Sequence, residues 1–218
     1  MEHLQYLLFD LDGTLYTDET GLFAEVGSRI EGWVAEKLNL SLDVAKQLRH
    51  DYYIRYGTTM AGLIHDHPDL DIDVYLDYVH DVDVAQYLDP DPRLDQMLSN
   101  LPLPKVIFTN SISDWAERIA TRLGVRNHFQ KIFDVRAVDY YCKPHPHAFS
   151  SVLSRLDVDG KACIMLDDQP SYLSGAAKAE MRTILVRPGG VVTEGIDAAV
   201  SHILDAEPVL KSWLNPAV

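Results

Sequence analysis

The side chains of this sequence that are able to do chemistry follow three apolar runs and occupy one loop. They are Asp10, Asp12, Thr109, Asn110, Lys143, Asp167 and Asp168. Two aspartates separated by a single residue, such as Asp10 and Asp12, by themselves most often indicate a turn. Ligands of open α/β sheets, however, bind at the carboxyl ends of the strands. The joint placement of these residues directly after strand-like runs therefore predicts that they gather into one site.

Such a set suits phosphoryl transfer. Two or three carboxylates supply the hard oxygen ligands that Mg²⁺ prefers, and a bound cation lets a carboxylate approach an anion. One carboxylate can then attack phosphorus, and a second carboxylic acid can protonate the leaving oxygen and later activate water. Lys143, Thr109 and backbone N–H groups near Asp12 and Asn110 are the expected phosphate donors.

The net charge limits the classes of partner. The chain carries a formal charge of -14 at neutral pH. A protein this acidic repels nucleic acid polymers and anionic membranes, so we expect neither as a partner. A small phosphorylated metabolite is an anion as well, and it requires a local concentration of positive charge, such as a metal ion, a lysine or backbone N–H groups.

The sequence carries no export or membrane signal that we recognise. No stretch approaches the roughly 20 uninterrupted apolar residues that span a bilayer, and the start of the chain lacks a basic segment followed by an apolar one. Cys142 and Cys163 are the only cysteines, which is typical of a reduced protein. We therefore expect a cytoplasmic protein, as a monomer or a homodimer.

Five short apolar runs predict the strands of a parallel sheet. They are Leu4–Phe9, Lys105–Phe108, Lys131–Val135, Ala162–Leu166 and Thr183–Val186. Helical patterns separate the later runs, for example from Ser113 to Leu123, and a last helix is expected near Ala198–Leu204. Alternation of strands and helices predicts an α/β fold with a doubly wound parallel sheet.

The stretch from Thr17 to about Asn100 contains helical patterns and no convincing buried strand. Leu22, Val26, Ile30, Val34 and Leu38 recur at helical spacing, and Ser41 can begin a second helix. We therefore predict a core domain formed by residues 1–16 and 100–218, with a helical cap domain, residues 17–99, inserted after the first strand.

The motifs together resemble the haloacid dehalogenase-like hydrolase superfamily. The resemblance rests on Asp10-Leu11-Asp12-Gly13-Thr14-Leu15-Tyr16, Thr109-Asn110, Lys143-Pro144 and Asp167-Asp168, in that order. It implies that Asp10 is the nucleophile and that Asp12 is the general acid and base. It also implies a Mg²⁺ site formed by Asp10, the backbone carbonyl of Asp12, Asp168 and its neighbour Asp167, with phosphate bound by Thr109, Asn110 and Lys143.

Asp12 separates two reactions of this superfamily. Its dehalogenase branch lacks an acid two residues after the nucleophile, because a halide leaving group needs no proton. A sugar or nucleoside oxygen does need one, so Asp12 favours hydrolysis of phosphate esters.

A narrower resemblance links the chain to the pyrimidine 5′-nucleotidase branch, which acts on monophosphates such as UMP and CMP. It rests on the segments Tyr52–Leu63, Asp89–Pro92, Ile107–Asn110 and Tyr141–Pro144. Possible specificity residues in the helical block are Tyr52, Arg55, Tyr56, Thr58 and Thr59. The tyrosines have an alternative role in the core of that block, and Arg55 has one as a solvated charge.

Other activities stay open on the same residues. They are a phosphatase for phosphoglycolate or a sugar phosphate, a phosphomutase, and a binding module without catalysis. Two positions depart from the family pattern, since Gln169 stands where a small residue is usual and Tyr172 where an Asn or Asp is common. A missing carboxylate or amide there weakens the expected support of the metal ligands.

Overall fold

The protein forms two compact units in a computed structural model that describes residues 4–214. One unit takes in the chain up to Thr17 and from Leu88 onwards, and the other is Asp18–Tyr87. The compact helical unit ends at Tyr87, whereas the sequence pattern predicts that the inserted block ends at residue 99. The segment that follows Tyr87 belongs to the unit that contains the sheet.

The sheet unit is built on six parallel strands in the order β3-β2-β1-β4-β5-β6. The strands are β1 (Tyr6–Phe9), β2 (Lys105–Phe108), β3 (Phe129–Phe133), β4 (Cys163–Asp167), β5 (Arg182–Val186) and β6 (Ala198–Val200). The strand order runs outward from β1 on one side and from β4 on the other, so it reverses between β1 and β4. The predicted α/β fold with a parallel sheet is confirmed.

Helices occupy both units. The helical unit contains α1 (Leu22–Leu38), α2 (Leu42–Tyr56), α3 (Thr59–Asp66) and α4 (Ile72–Val79). The sheet unit contains α5 (Pro92–Ser99), α6 (Ser113–Arg122), α7 (Pro146–Leu156), α8 (Pro170–Lys178) and α9 (Ala206–Leu214). Among the described residues, no helix combines the length and the apolarity needed to cross a membrane.

The strands are apolar throughout because both faces of the sheet are covered. Leu8 and Phe108 pack in one core cluster with Phe149 of α7 and Leu173 of α8. Leu7 points to the opposite face and is equally buried. Burial of each such side chain contributes about 1.5–3 kcal/mol, so the sheet is a rigid base for the residues at its edges.

The prediction of a last helix near Ala198–Leu204 is wrong. Residues Ala198–Val200 form the edge strand β6, and the last helix, α9, begins only at Ala206. The side chain of Asp197 explains the difference, because it accepts a hydrogen bond from the backbone N–H of Thr183 at 2.9 Å. The Thr183 hydroxyl in turn accepts from the N–H of Asp197 at 3.0 Å. These two bonds hold the following residues in register beside β5.

The helical unit has a core of its own. The rings of Trp33 in α1 and Tyr75 in α4 meet edge to face, with their centroids 5.0 Å apart. Ser41 is the N-cap of α2, as the sequence predicts, and its side chain accepts a hydrogen bond from the N–H of Val44 at 3.4 Å.

Candidate active site

Three strand ends place the predicted site residues at one edge of the sheet. The backbone N–H of Asp10 follows β1 and donates to the carbonyl of Leu166 at 2.9 Å. The N–H of Thr109 follows β2 and donates to the carbonyl of Phe133 at 3.0 Å. Asp167 is the last residue of β4. Because parallel strands end at the same edge, these residues are fixed by sheet hydrogen bonding rather than by mobile loops.

Lys143 lies at the centre of this edge and is completely buried. Its Nζ donates to Asp10 Oδ1 at 2.8 Å, to Asp167 Oδ2 at 2.7 Å and to the carbonyl oxygen of Phe108 at 2.9 Å. Each of the three ammonium protons therefore has an acceptor. The lysine joins the ends of β1, β2 and β4.

The backbone of Lys143 is fixed by Asn110. The N–H of Lys143 donates to Asn110 Oδ1 at 2.8 Å, and Asn110 Nδ2 donates to the carbonyl of Lys143 at 3.1 Å. The Asn110 side chain thus positions the lysine, and a phosphate contact by Asn110 through its backbone stays a prediction. The rings of Phe108 and Tyr172 flank the ammonium, with centroids 5.1 and 5.3 Å from Nζ.

Three carboxylates lie close together, and two of them bond to the Lys143 ammonium. Asp10, Asp167 and Asp168 each offer an oxygen within 4.8 Å of the others. Burial, reinforced by neighbouring carboxylates and opposed by Lys143, raises the pKa of Asp10 to about 7 and that of Asp167 to about 6. Burial and the charge of Asp10 raise the pKa of Asp168 to about 7. Burial disfavours charge on Lys143 as well, but Asp10 and Asp167 outweigh it and raise its pKa above the usual value.

These residues fit a divalent cation. The described cluster supplies hard carboxylate oxygens and, when ionised, holds more negative charge than Lys143 neutralises. Oxygen donors of this kind are the ligands that Mg²⁺ prefers. The elevated pKa values express the same excess of negative charge, since burial and neighbouring carboxylates disfavour ionisation of each group.

Gln169 orients two of the carboxylates. Its backbone N–H donates to Asp167 Oδ1 at 2.9 Å, and its side-chain amide donates to Asp168 Oδ2 at 2.5 Å. The residue that departs from the family pattern thus supplies a hydrogen bond of the kind that holds metal ligands in place. Tyr172, the other departure, is buried with its ring toward the ammonium.

Gly13 allows Asp168 to approach the first strand. Its φ is +93°, and a Cβ built there would lie 2.8 Å from Asp168 Cγ. Any other residue would be strained and would also displace the carboxylate.

Asp12 lies outside the cluster of three carboxylates, although its charge contributes to raising the pKa of Asp10. Its Oδ1 accepts hydrogen bonds from the Tyr16 hydroxyl at 2.5 Å and from Trp115 Nε1 at 2.9 Å. Its Oδ2 accepts from the Ser111 hydroxyl at 2.7 Å. The two neighbouring carboxylates of the Asp-x-Asp motif therefore have different surroundings.

Two threonines lie beside the carboxylates. The buried Thr109 hydroxyl accepts from the N–H of Ser111 at 3.0 Å, which leaves its own proton to donate. The Thr14 hydroxyl donates to Asp10 Oδ2 at 3.4 Å.

The predicted specificity residues lie in the helical unit, and three of them have structural contacts. Tyr52 of α2 is buried against α3, so closely that a Cβ added to Gly62 of α3 would lie 2.2 Å from its ring. Its burial, with a hydrogen bond to Asp66, raises the pKa of Tyr52 to about 12. Thr58 caps α3 by accepting from the N–H of Ala61 at 3.0 Å, and Thr59 is buried in its first turn.

Arg55 and Tyr56 form a polar cluster with two residues of α3. The Arg55 guanidinium donates to the Tyr56 hydroxyl at 2.9 Å. That hydroxyl lies 3.2 Å from His65 Nδ1, which is 2.7 Å from Asp66 Oδ1. This cluster is accessible to solvent, unlike the carboxylates of the sheet edge.

Sequence reasoning missed the partners of Asp12. Ser111 follows Thr109 and Asn110 at the end of β2, so the strand-end rule could have included it. Tyr16 lies within the first motif, but the resemblance implies no role for it. Trp115 has no local signal, because its contact with Asp12 joins residues that are 103 positions apart.

Comparison with known proteins agrees with this geometry. Residues 4–180 match the family of haloacid dehalogenase-like hydrolases. The chain is 28% identical over 192 residues to phosphate metabolism protein 8 of Saccharomyces cerevisiae. That alignment covers 81% of this chain and 60% of the yeast protein, so the chain spans well under the full length of this relative.

Solved structures of different activity share the fold. A phosphatase from Thermococcus onnurineus superposes with a TM-score of 0.65 at 19% identity, covering 95% of this chain and 98% of that one. A haloacid dehalogenase from Pseudomonas syringae superposes with a TM-score of 0.60 at 23% identity, covering 96% and 99%. Likeness at these identities shows the fold alone, so the reaction has to be argued from the site.

Proposed function

The chain belongs to the haloacid dehalogenase-like hydrolase family, and from this premise we propose that it is a Mg²⁺-dependent phosphatase acting on a small phosphate monoester. The observation that carries the proposal is the buried contact of Lys143 with Asp10 and Asp167, with Asp12 held separately beside them. One carboxylate is thereby fixed for attack and another is kept apart for proton transfer.

Asp10 is the proposed nucleophile. A carboxylate oxygen of Asp10 attacks phosphorus, the bond from phosphorus to the ester oxygen breaks, and an aspartyl phosphate forms. Lys143 holds Asp10 Oδ1, and among the described residues Oδ2 accepts only the long hydrogen bond from Thr14 at 3.4 Å. Lys143 and the Thr109 hydroxyl are the proposed donors to the phosphate oxygens.

Asp12 is the proposed general acid and base. It gives its proton to the ester oxygen as that bond breaks, and the alcohol leaves. It then takes a proton from water as the water oxygen attacks the aspartyl phosphate, which releases inorganic phosphate and restores Asp10. A dehalogenase needs no acid for a halide, so the firmly held Asp12 favours ester hydrolysis over dehalogenation.

Asp10, Asp167 and Asp168, with the backbone carbonyl of Asp12, are the proposed holders of Mg²⁺. When bound, the cation offsets the negative charge of the carboxylates and of the phosphoryl group. Gln169 keeps the carboxylates of Asp167 and Asp168 oriented for this purpose.

The finer proposal is a pyrimidine 5′-nucleotidase that acts on UMP or CMP, with the helical unit as its cap. It is supported by the segments that resemble that branch and by the exposed cluster of Arg55 and Tyr56, which offers a ring and hydrogen-bonding groups. Buried Tyr52 and the helix cap Thr58 favour structural roles for these two residues. A phosphoglycolate or sugar phosphatase and a phosphomutase are the competing activities.

The test is phosphate release from a panel of UMP, CMP, phosphoglycolate and hexose phosphates, with halide release from a haloacid measured in parallel. We expect phosphate release with Mg²⁺, its loss with EDTA and its recovery when Mg²⁺ is restored. Pyrimidine monophosphates are expected to have the highest kcat/KM.

The outcomes separate the levels of the proposal. Preference for a hexose phosphate would overturn the nucleotidase and keep the phosphatase. Transfer of phosphate to a second sugar, without release, would indicate a mutase. Halide release without phosphate release, or turnover that survives EDTA, would contradict the Mg²⁺-dependent phosphatase itself.

A further inference from the structure

The carboxylate of Asp12 accepts three hydrogen bonds from side chains that the proposed reaction does not otherwise use. Tyr16 and Trp115 donate to Oδ1 at 2.5 and 2.9 Å, and Ser111 donates to Oδ2 at 2.7 Å. A single carboxylate with donors on both oxygens cannot rotate about its side-chain bonds without breaking at least one of them. The three contacts therefore define one orientation of the group.

The three donors come from two segments of the sheet unit, residues 12–16 after β1 and residues 111–115 after β2. Tyr16 follows Asp12 in the turn after β1, where the N–H of Leu15 donates to the carbonyl of Leu11 at 3.0 Å. Ser111 lies in the loop between β2 and α6. Because Ser111 and Trp115 belong to a second segment, the Asp12 side chain is fixed relative to the end of β2 as well as to its own loop.

Trp115 is the most buried of the three. It lies in the first turn of α6 and its side chain is only 1% exposed. The start of α6 is anchored to β3, because Asp134 Oδ2 accepts from the N–H of Ser113 at 2.9 Å and Asp134 Oδ1 accepts from the N–H of Ala137 at 2.8 Å. The indole N–H of Trp115 therefore reaches Asp12 from a helix whose start is held by hydrogen bonds.

We propose that Tyr16, Ser111 and Trp115 are positioning residues that hold the Asp12 carboxyl group in the orientation needed for proton transfer to the leaving oxygen. This inference rests on the proposed phosphatase function. It assigns to three side chains a role that neither the strand-end rule nor the motif spacing identified.

The hydrogen-bonding capacities of the donors indicate which oxygen transfers the proton. An indole N–H only donates, so Trp115 commits Asp12 Oδ1 as an acceptor throughout. The Ser111 hydroxyl both donates and accepts, so it can stay bonded to Oδ2 whether or not that oxygen carries a proton. Oδ2 is therefore the oxygen that passes a proton to the leaving group and later takes one from water.

The test compares two aryl esters in the first turnover. Phenyl phosphate has a weakly acidic leaving group that requires protonation, whereas dinitrophenyl phosphate has a strongly acidic one that does not. We define the acid ratio as the first-turnover rate for the dinitrophenyl ester divided by that for the phenyl ester. General acid catalysis contributes about 10²–10⁴-fold, so we expect Trp115→Phe and Ser111→Ala to raise the acid ratio by about tenfold or more.

Matched variants distinguish positioning from general damage. Ser111→Thr keeps the hydroxyl and should keep the acid ratio of the unmodified protein, and so should Trp213→Phe, which alters a tryptophan of α9. Tyr16→Phe should raise the ratio as Trp115→Phe does. If Trp115→Phe does not fold, as judged by circular dichroism and thermal unfolding, the Ser111→Ala and Ser111→Thr pair decides the question.

Equal losses on both esters, or unchanged ratios in Ser111→Ala and Tyr16→Phe, would overturn the positioning role. The failure of the broader proposal looks different. An unmodified protein that releases phosphate neither from these esters nor from the panel of natural esters in the presence of Mg²⁺ overturns the phosphatase, and the positioning role with it. An active unmodified protein whose variants keep its acid ratio overturns the positioning role alone.

Discussion

Two buried lysines lie at opposite edges of the same sheet and have opposite surroundings. Lys105 begins β2 at the amino edge, where its Nζ donates to the carbonyls of Leu101 at 2.7 Å and Leu103 at 3.1 Å. Lys143 lies at the carboxyl edge, where it bonds to the carboxylates of Asp10 and Asp167. The residue type is the same and both are buried, at 7% and 0% exposure.

The electrostatic consequences differ in sign. Burial lowers the pKa of Lys105. The pKa of Lys143 is raised, because two carboxylates outweigh the effect of burial. Burial alone therefore does not indicate a site. A site is indicated instead by several ionisable groups that lie close together and shift one another's pKa. In this protein such a group of residues lies at the carboxyl edge, where open α/β sheets bind ligands.

The largest effect expected at the carboxyl edge is that of Asp10→Asn. The amide cannot attack phosphorus, so phosphate release from the best ester of the panel should fall at least about 10³-fold. The fold should persist, since the amide oxygen can still accept from Lys143 and one buried charge is removed. Without metal at about pH 8, the variant should be no less stable than the unmodified protein, because the pKa of Asp10 is raised to about 7.

Asp91→Asn is a matched control in the same unit. Asp91 caps α5 by accepting from the N–H groups of Arg93 and Leu94 at 2.9 and 3.2 Å, and asparagine is an equally good cap. Activity and thermal unfolding temperature should both be unchanged. Normal phosphate release by Asp10→Asn would end the assignment of the nucleophile.

The two lysines can be compared directly by replacing each with methionine. Lys143→Met removes the only described ammonium that contacts Asp10 and Asp167 and leaves buried carboxylates unpaired. We expect the free energy of unfolding at about pH 8 without metal to fall by about 3–5 kcal/mol. Lys105→Met leaves two carbonyls without their donor but no buried anion, so the loss should be smaller, about 1–3 kcal/mol.

Urea-induced unfolding followed by circular dichroism measures both values. Activity adds a second readout, because Lys105→Met should keep its turnover of the preferred ester while Lys143→Met loses it. Similar losses of stability in the two variants, or a greater loss in Lys105→Met, would show that the carboxylates do not distinguish the two edges.

Sequence reasoning predicted the parts of the fold that follow from local pattern. The apolar runs that form β1, β2, β4 and β5 carry a strong signal, because strands buried on both faces are continuously apolar. The edge strand β6 was predicted as helix, since the short segment Ala198–Val200 has no pattern of its own. Its conformation is set by the bonds between Asp197 and Thr183, which a local reading cannot supply.

The positions of the site residues were also predictable from local pattern, whereas the contacts that orient them were not. Strand ends identified Asp10, Thr109 and Asp167, because topology brings these positions together whatever the loops do. The orienting contacts were not predictable, since Trp115 reaches Asp12 through the packing of α6. Gln169 departs from the family pattern, but its side-chain amide donates to Asp168. The family pattern expects a polar side chain for such a contact at position 172 instead. The contact between Trp115 and Asp12 depends on tertiary packing, since it joins residues 103 positions apart.

The smallest expected effect tests the charge imbalance of the carboxyl edge. The pKa values of Asp10 and Asp168 are raised to about 7 and that of Asp167 to about 6. Between about pH 4 and pH 7 the folded protein therefore binds more protons than the unfolded chain, and its free energy of unfolding falls as the pH rises. Mg²⁺ should replace these protons. At about ten times its Kd it should add about 1.4 kcal/mol at pH 8, which raises the Tm by about 3–6 °C.

At about pH 5 the same concentration of Mg²⁺ should raise the Tm less, because protons compete for the carboxylates. Sodium chloride at equal ionic strength corrects for screening of the overall charge of -14. Asp168→Asn should reduce both the Mg²⁺ effect and the loss of stability at high pH, whereas Asp91→Asn should alter neither. An equal Tm increase at both pH values would mean that Mg²⁺ binds elsewhere. The carboxyl edge would then differ from the amino edge in charge but not in its affinity for a cation.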